Sequence, residues 1–376
     1  MLFLQRLVLE NFRNYETLDV RFEPGRILLL GDNGQGKTNL LEAVHFLSLL
    51  RSFRSTKLEE LRRWRQRQFT IRGEFDVSGQ PLALGLEYGD KRRLRLDGAA
   101  VRRASDFIGR VPAVAFVPED IELVKGSASG RRRFLDSGLT QVLVPYLNLL
   151  QTYDRALRSR NQLLRDAGAV AHAVRAFDRL LAASGARLME WRGMFLQEFG
   201  EFLAPAAHQL LPAGSELTVR YQPAVNLPAG PEKVRAEALF QALDQSWERD
   251  RAHGLTHPGP HRDDFGLGLN GKAVGCFGSE GQCRLVALVL RLALAEYLAA
   301  KKGAGSVLLL VDDVMGELDG RGRRAFLGAL QRAGQVFVAA TQPDLLAELA
   351  PATAFRVEAG GLTPLAAAAG KTAPAG

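Results

Sequence analysis

The chain has 376 residues, which is long enough for two domains or for one domain with a sizeable insertion. Its formal net charge of +8 fits a polyanionic partner. Only two cysteines are present, Cys276 and Cys283, and they lack C-x-x-C spacing, which argues against a disulfide scaffold or a zinc site. No apolar run has the length of a signal peptide or a membrane helix, so we expect a cytoplasmic protein without membrane association.

The N-terminal third is predicted to be rich in strands. Phe3–Val8 and Thr17–Phe22 form a strand pair, and Ile27–Leu30 is a short buried strand. Apolar residues then alternate with polar ones in three further segments, which predicts an antiparallel side sheet: Phe69 to Val77, Leu82 to Tyr88, and Leu94 to Leu96. The dipeptide Asp97-Gly98 is a hairpin signal at the end of the third segment.

A glycine-rich loop follows the strand Ile27–Leu30 directly. It has the pattern G-x-x-x-x-G-K-T, and its residues are Gly31, Asp32, Asn33, Gly34, Gln35, Gly36, Lys37 and Thr38. Such a loop turns its backbone N–H groups toward phosphate oxygens at the start of a helix. Lys37 would reach the β- and γ-phosphates, and the Thr38 hydroxyl would ligate Mg²⁺. The sequence therefore predicts a binding site for a nucleoside triphosphate.

The middle of the chain is predicted to be helical from Ser127 to Leu211. Apolar residues recur there at spacings of three and four, as in Leu188, Trp191 and Phe195, which is typical of a core seam between helices. After a strand at Glu216–Tyr221, residues 223–231 contain several prolines and glycines that interrupt regular structure.

Two carboxylates follow the apolar strand Val307–Val311. Asp312 is suited to holding Mg²⁺ through its water shell, alongside Thr38, and Asp313 to orienting and deprotonating a water that attacks the γ-phosphate. Ligands of nucleotide-binding sheets lie at the carboxyl ends of such strands. The two halves of the site, Lys37 and Asp312, are 312 − 37 = 275 residues apart, so a large insertion must separate them.

This separation predicts the domain organisation. We expect an α/β fold: a P-loop ATPase head with an antiparallel side sheet and an inserted helical arm domain. The head would comprise residues 1–125 and 251–358, the arm residues 126–250, and a disordered tail residues 359–376.

A second phosphate-binding candidate precedes the predicted helix Glu280–Ala300. Ser279, Gly281 and Gln282 offer a hydroxyl, a freely exposed backbone N–H and an amide at a helix start. An ordinary helix cap would explain them too. A second such loop is useful if it reaches the γ-phosphate of ATP bound by another copy of the chain across a two-fold axis.

These motifs together resemble the heads of the ABC/SMC-type ATPases, and several segments resemble the RecF family of bacterial DNA-repair proteins within that group. The resemblance covers nearly the whole chain and is carried by these segments: Asn11 to Tyr15, Gly31–Thr38, Pro118 to Gly126, Arg131 to Asp136, Arg160-Asn161, Gly259 to Asp264, Ser279 to Gln282, Asp312 to Val314, and Gly316 to Asp319. It implies that Arg13 lies near the nucleotide. It also implies that Gln342, in the position where many ABC proteins have His, acts as the γ-phosphate sensor.

The resemblance also implies a function. It implies an ATP-dependent homodimer, a weak DNA-stimulated ATPase, that binds gapped DNA and single-strand/double-strand junctions. It further implies that RecR-type mediators act with the protein to load a RecA-type recombinase during DNA replication, repair and the SOS response. The chief rivals are the nucleotide-binding subunit of an ABC transporter and a nucleotide-independent DNA-binding scaffold.

Two further groups of residues have alternative interpretations. Arg131, Arg132 and Arg133 are candidate contacts to DNA phosphates, together with the arginines of the basic stretch 58–68, although a solvated basic surface is the alternative. His257 and His261, near two aspartates, resemble metal ligands, but their spacing fits no standard zinc pattern.

Overall fold

A computed structural model describes residues 1–166, 170–331, 333–342, 344–349 and 351–365. Its strands are β1 (Leu2–Phe12), β2 (Tyr15–Arg21), β3 (Gly25–Leu30), β4 (Phe69–Val77), β5 (Gln80–Tyr88), β6 (Arg92–Leu96), β7 (Ala99–Val101), β8 (Ala113–Phe116), β9 (Leu217–Gln222), β10 (Asp264–Leu269), β11 (Lys272–Ala273), β12 (Leu308–Asp312), β13 (Gln335–Ala340), β14 (Thr353–Glu358) and β15 (Gly361–Leu365). Its helices are α1 (Lys37–Leu49), α2 (Glu122–Lys125), α3 (Ala128–Val142), α4 (Val144–Arg165), α5 (Ala171–Arg175), α6 (Asp178–Leu210), α7 (Glu232–Gln245), α8 (Trp247–His253), α9 (Val274–Phe277), α10 (Glu280–Lys302), α11 (Gly320–Leu330) and α12 (Leu345–Glu348).

The chain divides into two compact units. The first contains residues 1–119 and the chain from Ala295 onward, and the second contains residues 120–294. This division differs from the predicted arm of 126–250, because residues 120–125 and 251–294 belong with the second unit. The reason is long-range pairing: strand β9 forms a sheet with β10, and Arg192 of α6 donates to the carbonyl of Pro260 at 2.6 Å.

The first unit contains a mostly parallel sheet in the order β15-β14-β3-β13-β12-β8. Strands β3, β12 and β13 are rich in apolar residues and are almost entirely buried, as expected for strands covered on both faces. Because β3, β13 and β12 run parallel, their carboxyl ends lie at one edge of the sheet. The loop after β3 and the carboxylates after β12 are therefore brought to the same edge.

An antiparallel sheet in the order β2-β1-β4-β5-β6-β7 completes the first unit. The predicted Asp97-Gly98 hairpin lies between β6 and β7, and both residues have positive φ, 50° and 79°, as a type I′ turn requires. Helix α1 packs against strands of both sheets and is buried along most of its length. This burial fixes the helix whose first turn contributes Lys37 and Thr38.

The second unit is built around helices α3, α4 and α6, as the apolar spacing predicted. Its core contains a buried ion network: the Arg192 guanidinium donates to Asp136 at 2.8 Å and to Asp263 at 3.2 Å, and Tyr146 donates to Asp136. A buried charge is tolerated only when such partners surround it.

The predicted disordered tail is wrong for residues 361–365. They form β15, which pairs antiparallel with β14 through five residue pairs from Ala354↔Leu365 to Glu358↔Gly361. The alanine- and glycine-rich composition of the tail did not indicate a strand. The strand forms because it pairs with β14 at the edge of the sheet. Residues 359–360 form the turn that precedes β15, and residues 366–376 of the predicted tail lie outside the described residues.

Candidate nucleotide-binding site

The glycine-rich loop joins β3 to α1, as predicted. Gly34 and Gly36 have φ values of 80° and 123°, which side-chain-bearing residues rarely adopt. A Cβ on Gly36 would also lie 2.7 Å from the side-chain Nδ2 of Asn14 and 3.0 Å from the Tyr15 hydroxyl. The positive φ values therefore favour glycine at both positions. At Gly36 the close contacts also leave no room for a side chain.

The Lys37 ammonium points back over this loop. It donates to the carbonyl oxygens of Gly31 at 2.6 Å and of Asp32 at 2.8 Å. Burial lowers the Lys37 pKa, and the nearby carboxylates of Asp313 and Asp312 oppose that shift. The Lys37 ammonium is thus held at the start of α1, where its charge and the positive end of the helix dipole both favour a bound anion.

Thr38 and Asp312 meet in the structure although they are remote in sequence. The Thr38 hydroxyl donates to a carboxylate oxygen of Asp312 at 2.9 Å. Burial raises the pKa of Asp312 to about 6, with a smaller contribution from Asp313. A hydroxyl and a carboxylate at this spacing are the hard oxygen donors that Mg²⁺ prefers, and a bound dication would stabilise the ionised carboxylate. The residues present therefore fit the predicted metal.

Asp313 is exposed beside this pair. Its φ is 51°, a left-handed conformation that its own backbone N–H supports by donating to Ala339 O at 3.2 Å. A non-glycine residue in this region is uncommon and is enriched at functional sites. Gln342, the predicted sensor, is exposed after strand β13, which lies between β3 and β12 in the sheet. Both residues thus lie at the edge that carries the phosphate loop.

Arg13 makes a buried ion pair that the sequence did not predict. Its guanidinium forms two bonds of 2.7 Å with the fully buried carboxylate of Glu42, which lies one turn beyond Thr38 on α1. A third bond of 2.8 Å reaches the carbonyl of Glu60. The structure therefore gives Arg13 a role in fixing α1, and its proximity to nucleotide stays a prediction.

Three residues outside the loop hold it in place and were missed at the sequence level. Asn14 donates to Gln35 O at 2.9 Å, and Tyr15 donates to Gly36 O at 3.0 Å. The backbone N–H of Gly360 donates to the same carbonyl, Gln35 O, at 3.1 Å. The motif Asn11 to Tyr15 carried a signal for this support, whereas the turn after β14 carried none.

Ser279, Gly281 and Gln282 lie at the start of α10 and are exposed. Ser279 and Gln282 form a reciprocal capping box: Ser279 N donates to Gln282 Oε1 at 2.9 Å, and Gln282 N donates to Ser279 Oγ at 3.2 Å. A Cβ on Gly281 would meet nothing within 4 Å. These residues belong to the second unit, and their contact with a nucleotide stays a prediction.

The three arginines predicted to bind DNA differ in their surroundings. Arg131 forms two bonds with Asp264, at 2.6 and 2.8 Å, and Arg132 donates to Asp263 O at 2.7 Å. Arg133 is exposed. Intramolecular hydrogen bonds therefore engage Arg131 and Arg132 within the second unit. Arg133 is the arginine of this set that is best placed to contact DNA phosphates.

The metal interpretation of the histidines finds no support. Among the described residues, no group of three or more His, Cys, Asp or Glu side chains could hold a metal ion. His261 instead accepts a hydrogen bond from Tyr153 at 2.6 Å and donates to Thr256 O at 2.9 Å. Its ring is half-buried in the second unit, and these two bonds fit the neutral form.

This burial predicts a pH-dependent stability. Burial lowers the pKa of His261 to about 4, whereas the unfolded ring titrates near 6.5. As the pH falls, the unfolded state therefore binds a proton before the folded state does. The free energy of unfolding is highest above about pH 6.5 and decreases by on the order of 3 kcal/mol as the pH falls to 4. We expect His261→Gln to show a weaker loss over this range in urea unfolding. Equal pH slopes for this variant and for the exposed-site control His208→Gln would contradict the assignment.

Within the described ranges, no helix is long and apolar enough to cross a membrane.

The chain is similar to known proteins over nearly its whole length. A family model described as the RecF/RecN/SMC N terminal domain matches residues 3–361. The chain is 39% identical over 368 residues to the DNA replication and repair protein RecF of Halalkalibacterium halodurans, covering 96% of this chain and 98% of that protein. It is 38% identical to RecF of Synechococcus sp. (strain JA-2-3B'a(2-13)), covering 90% and 91% of the two chains.

Solved structures lead to the same family. A structure of the recombination mediator protein RecF-ATPrS in the RecFOR pathway has a TM-score of 0.88 and 29% identity, covering 97% of this chain and 98% of its own. RecF-ATP from the same pathway gives a TM-score of 0.87 at 29% identity, covering 97% and 99%. The Smc head of Pyrococcus furiosus, at 14% identity and a TM-score of 0.55 over 97% and 96%, shares the fold. The predicted P-loop ATPase head is thus confirmed, and the chain belongs to the RecF family of the RecF/RecN/SMC ATPases.

Proposed function

We propose that this protein is an ATP-dependent DNA-binding protein of recombinational repair, in which ATP joins two copies of the chain. The observation that carries the proposal is the 2.9 Å contact between Thr38 and Asp312 beside Lys37, because it completes an ATP site from segments far apart in sequence. The ATP-bound RecF relatives support this function over the transporter subunit and the nucleotide-independent scaffold.

Each residue has a distinct task in ATP binding. Lys37 exchanges its two carbonyl partners for the β- and γ-phosphates, and the N–H groups of residues 31–36 bind further phosphate oxygens. Thr38 and Asp312 would hold Mg²⁺, which would supply positive charge to neutralise the phosphates. Asp313 orients the attacking water and accepts its proton, and Gln342 contacts the γ-phosphate. Hydrolysis to ADP and phosphate is slow and is stimulated by DNA.

ATP acts as an interfacial ligand. Ser279, Gly281 and Gln282 of one copy contact the γ-phosphate bound by the other, which their exposure permits. Binding therefore favours a closed dimer, and hydrolysis removes the contact and opens it. The closed dimer binds DNA at gaps and at single-strand/double-strand junctions, and Arg133 is one of the residues that contact the DNA phosphates.

The partners follow from the family. The structures of relatives are assigned to the RecFOR pathway, which supports action with a RecR-type mediator to load a RecA-type recombinase. The positive net charge of +8 supports DNA as the polyanionic ligand.

Dimerisation tests this function. We expect light scattering to give a dimer mass with a slowly hydrolysed ATP analogue and a monomer mass with ADP or no nucleotide. Gly281→Arg should weaken the dimer roughly thirtyfold or more without changing ATP binding by the monomer, because a side chain there meets open space within one copy. Ser279→Arg should act alike, with the added loss of a helix cap.

A matched control is Asn148→Arg, which adds the same side chain to an exposed position of α4. It should dimerise normally. A monomer at saturating analogue, with DNA also present, would refute the interfacial role of ATP; normal dimerisation of Gly281→Arg would refute the cross-subunit assignment.

A further inference from the structure

Trp64 lies at the tip of a tight turn in the first unit. The turn is closed by a bond of 3.0 Å from Gln66 N to Arg63 O, so Trp64 and Arg65 are its two central residues. Trp64 is 83% exposed, and Arg65 has a φ of 66°. A large ring held out in solvent beside a strained residue is unusual and points to a binding role.

The base of this turn is fixed to strand β1. Arg63 N donates to Asn11 O at 2.8 Å, and Arg13 N donates to Leu61 O at 2.8 Å. Phe12 and Arg62 form an isolated β-bridge between the same segments. The ring is therefore presented on a rigid support, which reduces the entropy lost when a ligand stacks on it.

Positive charge surrounds the ring. Arg65 and Arg67 flank it and are exposed. Arg62 lies over the Tyr88 ring and donates to Gly89 O at 3.2 Å, so the β5–β6 turn contacts the base of the turn that carries Trp64. Two neighbouring carboxylates are engaged, Glu16 with Arg63 at 2.8 Å and Glu59 with the Tyr88 hydroxyl, and the exposed Asp90 lies in the β5–β6 turn.

We propose that Trp64 stacks on an unpaired base of DNA whose phosphates are bound by Arg65 and Arg67. An aromatic platform within a positive surface is the arrangement by which proteins bind single-stranded nucleic acid, because every base presents a face for stacking. The inference rests on the proposed DNA-binding function and adds the residue that distinguishes unpaired bases from duplex. One exposed ring can stack on a single unpaired base while the arginines bind neighbouring phosphates. This arrangement suits a single-strand/double-strand junction.

An alternative ligand for the ring is the adenine of ATP. Trp64 also lines a cleft of about 960 Å³ together with Asn14, Asn39 and Arg54, close to the phosphate loop. A ring devoted to adenine would be largely covered by its pocket, whereas this one is 83% exposed. The exposure favours DNA, and the affinity for ATP separates the two ligands experimentally.

The test compares three labelled DNAs in fluorescence anisotropy with a slowly hydrolysed ATP analogue: a blunt duplex, the same duplex with an oligothymidine tail, and the same duplex with an abasic tail. For Trp64→Ala we expect about tenfold weaker binding of the thymidine-tailed DNA. Binding of the blunt and abasic-tailed DNAs should be unchanged, and Trp64→Phe should retain most of the affinity for the thymidine tail. Wild type should lose its preference for the tail when the tail is abasic.

Arg67→Ala provides the contrast, because a lost phosphate contact should weaken binding to all three DNAs and reduce the salt dependence. The inference is overturned if Trp64→Ala leaves tailed DNA unaffected, weakens all three DNAs equally, or lowers ATP affinity. Failure of the wild type to bind any of the DNAs would refute the proposed function itself, which keeps the two conclusions separable.

Discussion

Replacing Lys37 by alanine lowers the affinity for ATP by roughly 100-fold or more. The Lys37 ammonium makes two short bonds, of 2.6 and 2.8 Å, to carbonyls of the phosphate loop, and these are the bonds that phosphate oxygens replace. Charge-assisted hydrogen bonds contribute about 1.5–3 kcal/mol each, so loss of two corresponds to at least two decades of affinity. Isothermal titration with ATP and Mg²⁺ measures the change.

The control for this prediction is Lys272→Ala, which removes an exposed lysine of β11. It should bind ATP like the wild type. Because Lys37 is buried, thermal unfolding of both variants must show intact folds before the affinities are compared. Unchanged ATP affinity in Lys37→Ala would mean that the loop does not bind the nucleotide as assigned.

Replacing Arg192 by leucine destabilises the second unit by about 3–5 kcal/mol. Arg192 is buried and bridges two carboxylates, Asp136 at 2.8 Å and Asp263 at 3.2 Å, which the variant leaves in the interior without this cationic partner. Such loss of one partner from a buried ion network is far more costly than loss of a surface pair. Urea unfolding followed by tryptophan fluorescence measures it, since Trp191 packs against Tyr146 in this region.

Arg187→Leu is the matched control on the same helix. Arg187 pairs with Glu190 at 2.8 Å, but its side chain is 37% exposed, so we expect a loss below about 1 kcal/mol. Equal destabilisation by the two variants would show that the buried network contributes no more than a surface pair does.

Local patterns predicted much of the first unit. The strand, glycine-rich loop and helix around Lys37 are contiguous in sequence, and each follows from short-range rules on glycine backbone freedom and apolar runs. The hairpin at Asp97-Gly98 followed from the same kind of rule. Alternation of apolar residues also predicted the antiparallel sheet, because one face of each strand is buried.

Long-range partners could not be predicted in this way. Arg131 was assigned to DNA by its charge, but it bonds Asp264, which lies 133 residues away. The Arg13–Glu42 pair and the fastening of the loop by Gly360 likewise join separate segments. A charge pattern gives the sign of a side chain but not the ligand that it meets after folding.

The sequence by itself determined that the chain binds a nucleoside triphosphate and which residues form the loop, because the loop's chemistry depends on neighbouring residues. The sequence also predicted that Asp312 acts alongside Thr38, and the structure has the two side chains 2.9 Å apart. Only the tertiary structure decided that Asp263 serves the buried core. It also decided that residues 361–365 form a strand. The physical reason is that parallel strand order and burial are set by contacts between segments far apart in the chain, which short-range patterns do not specify.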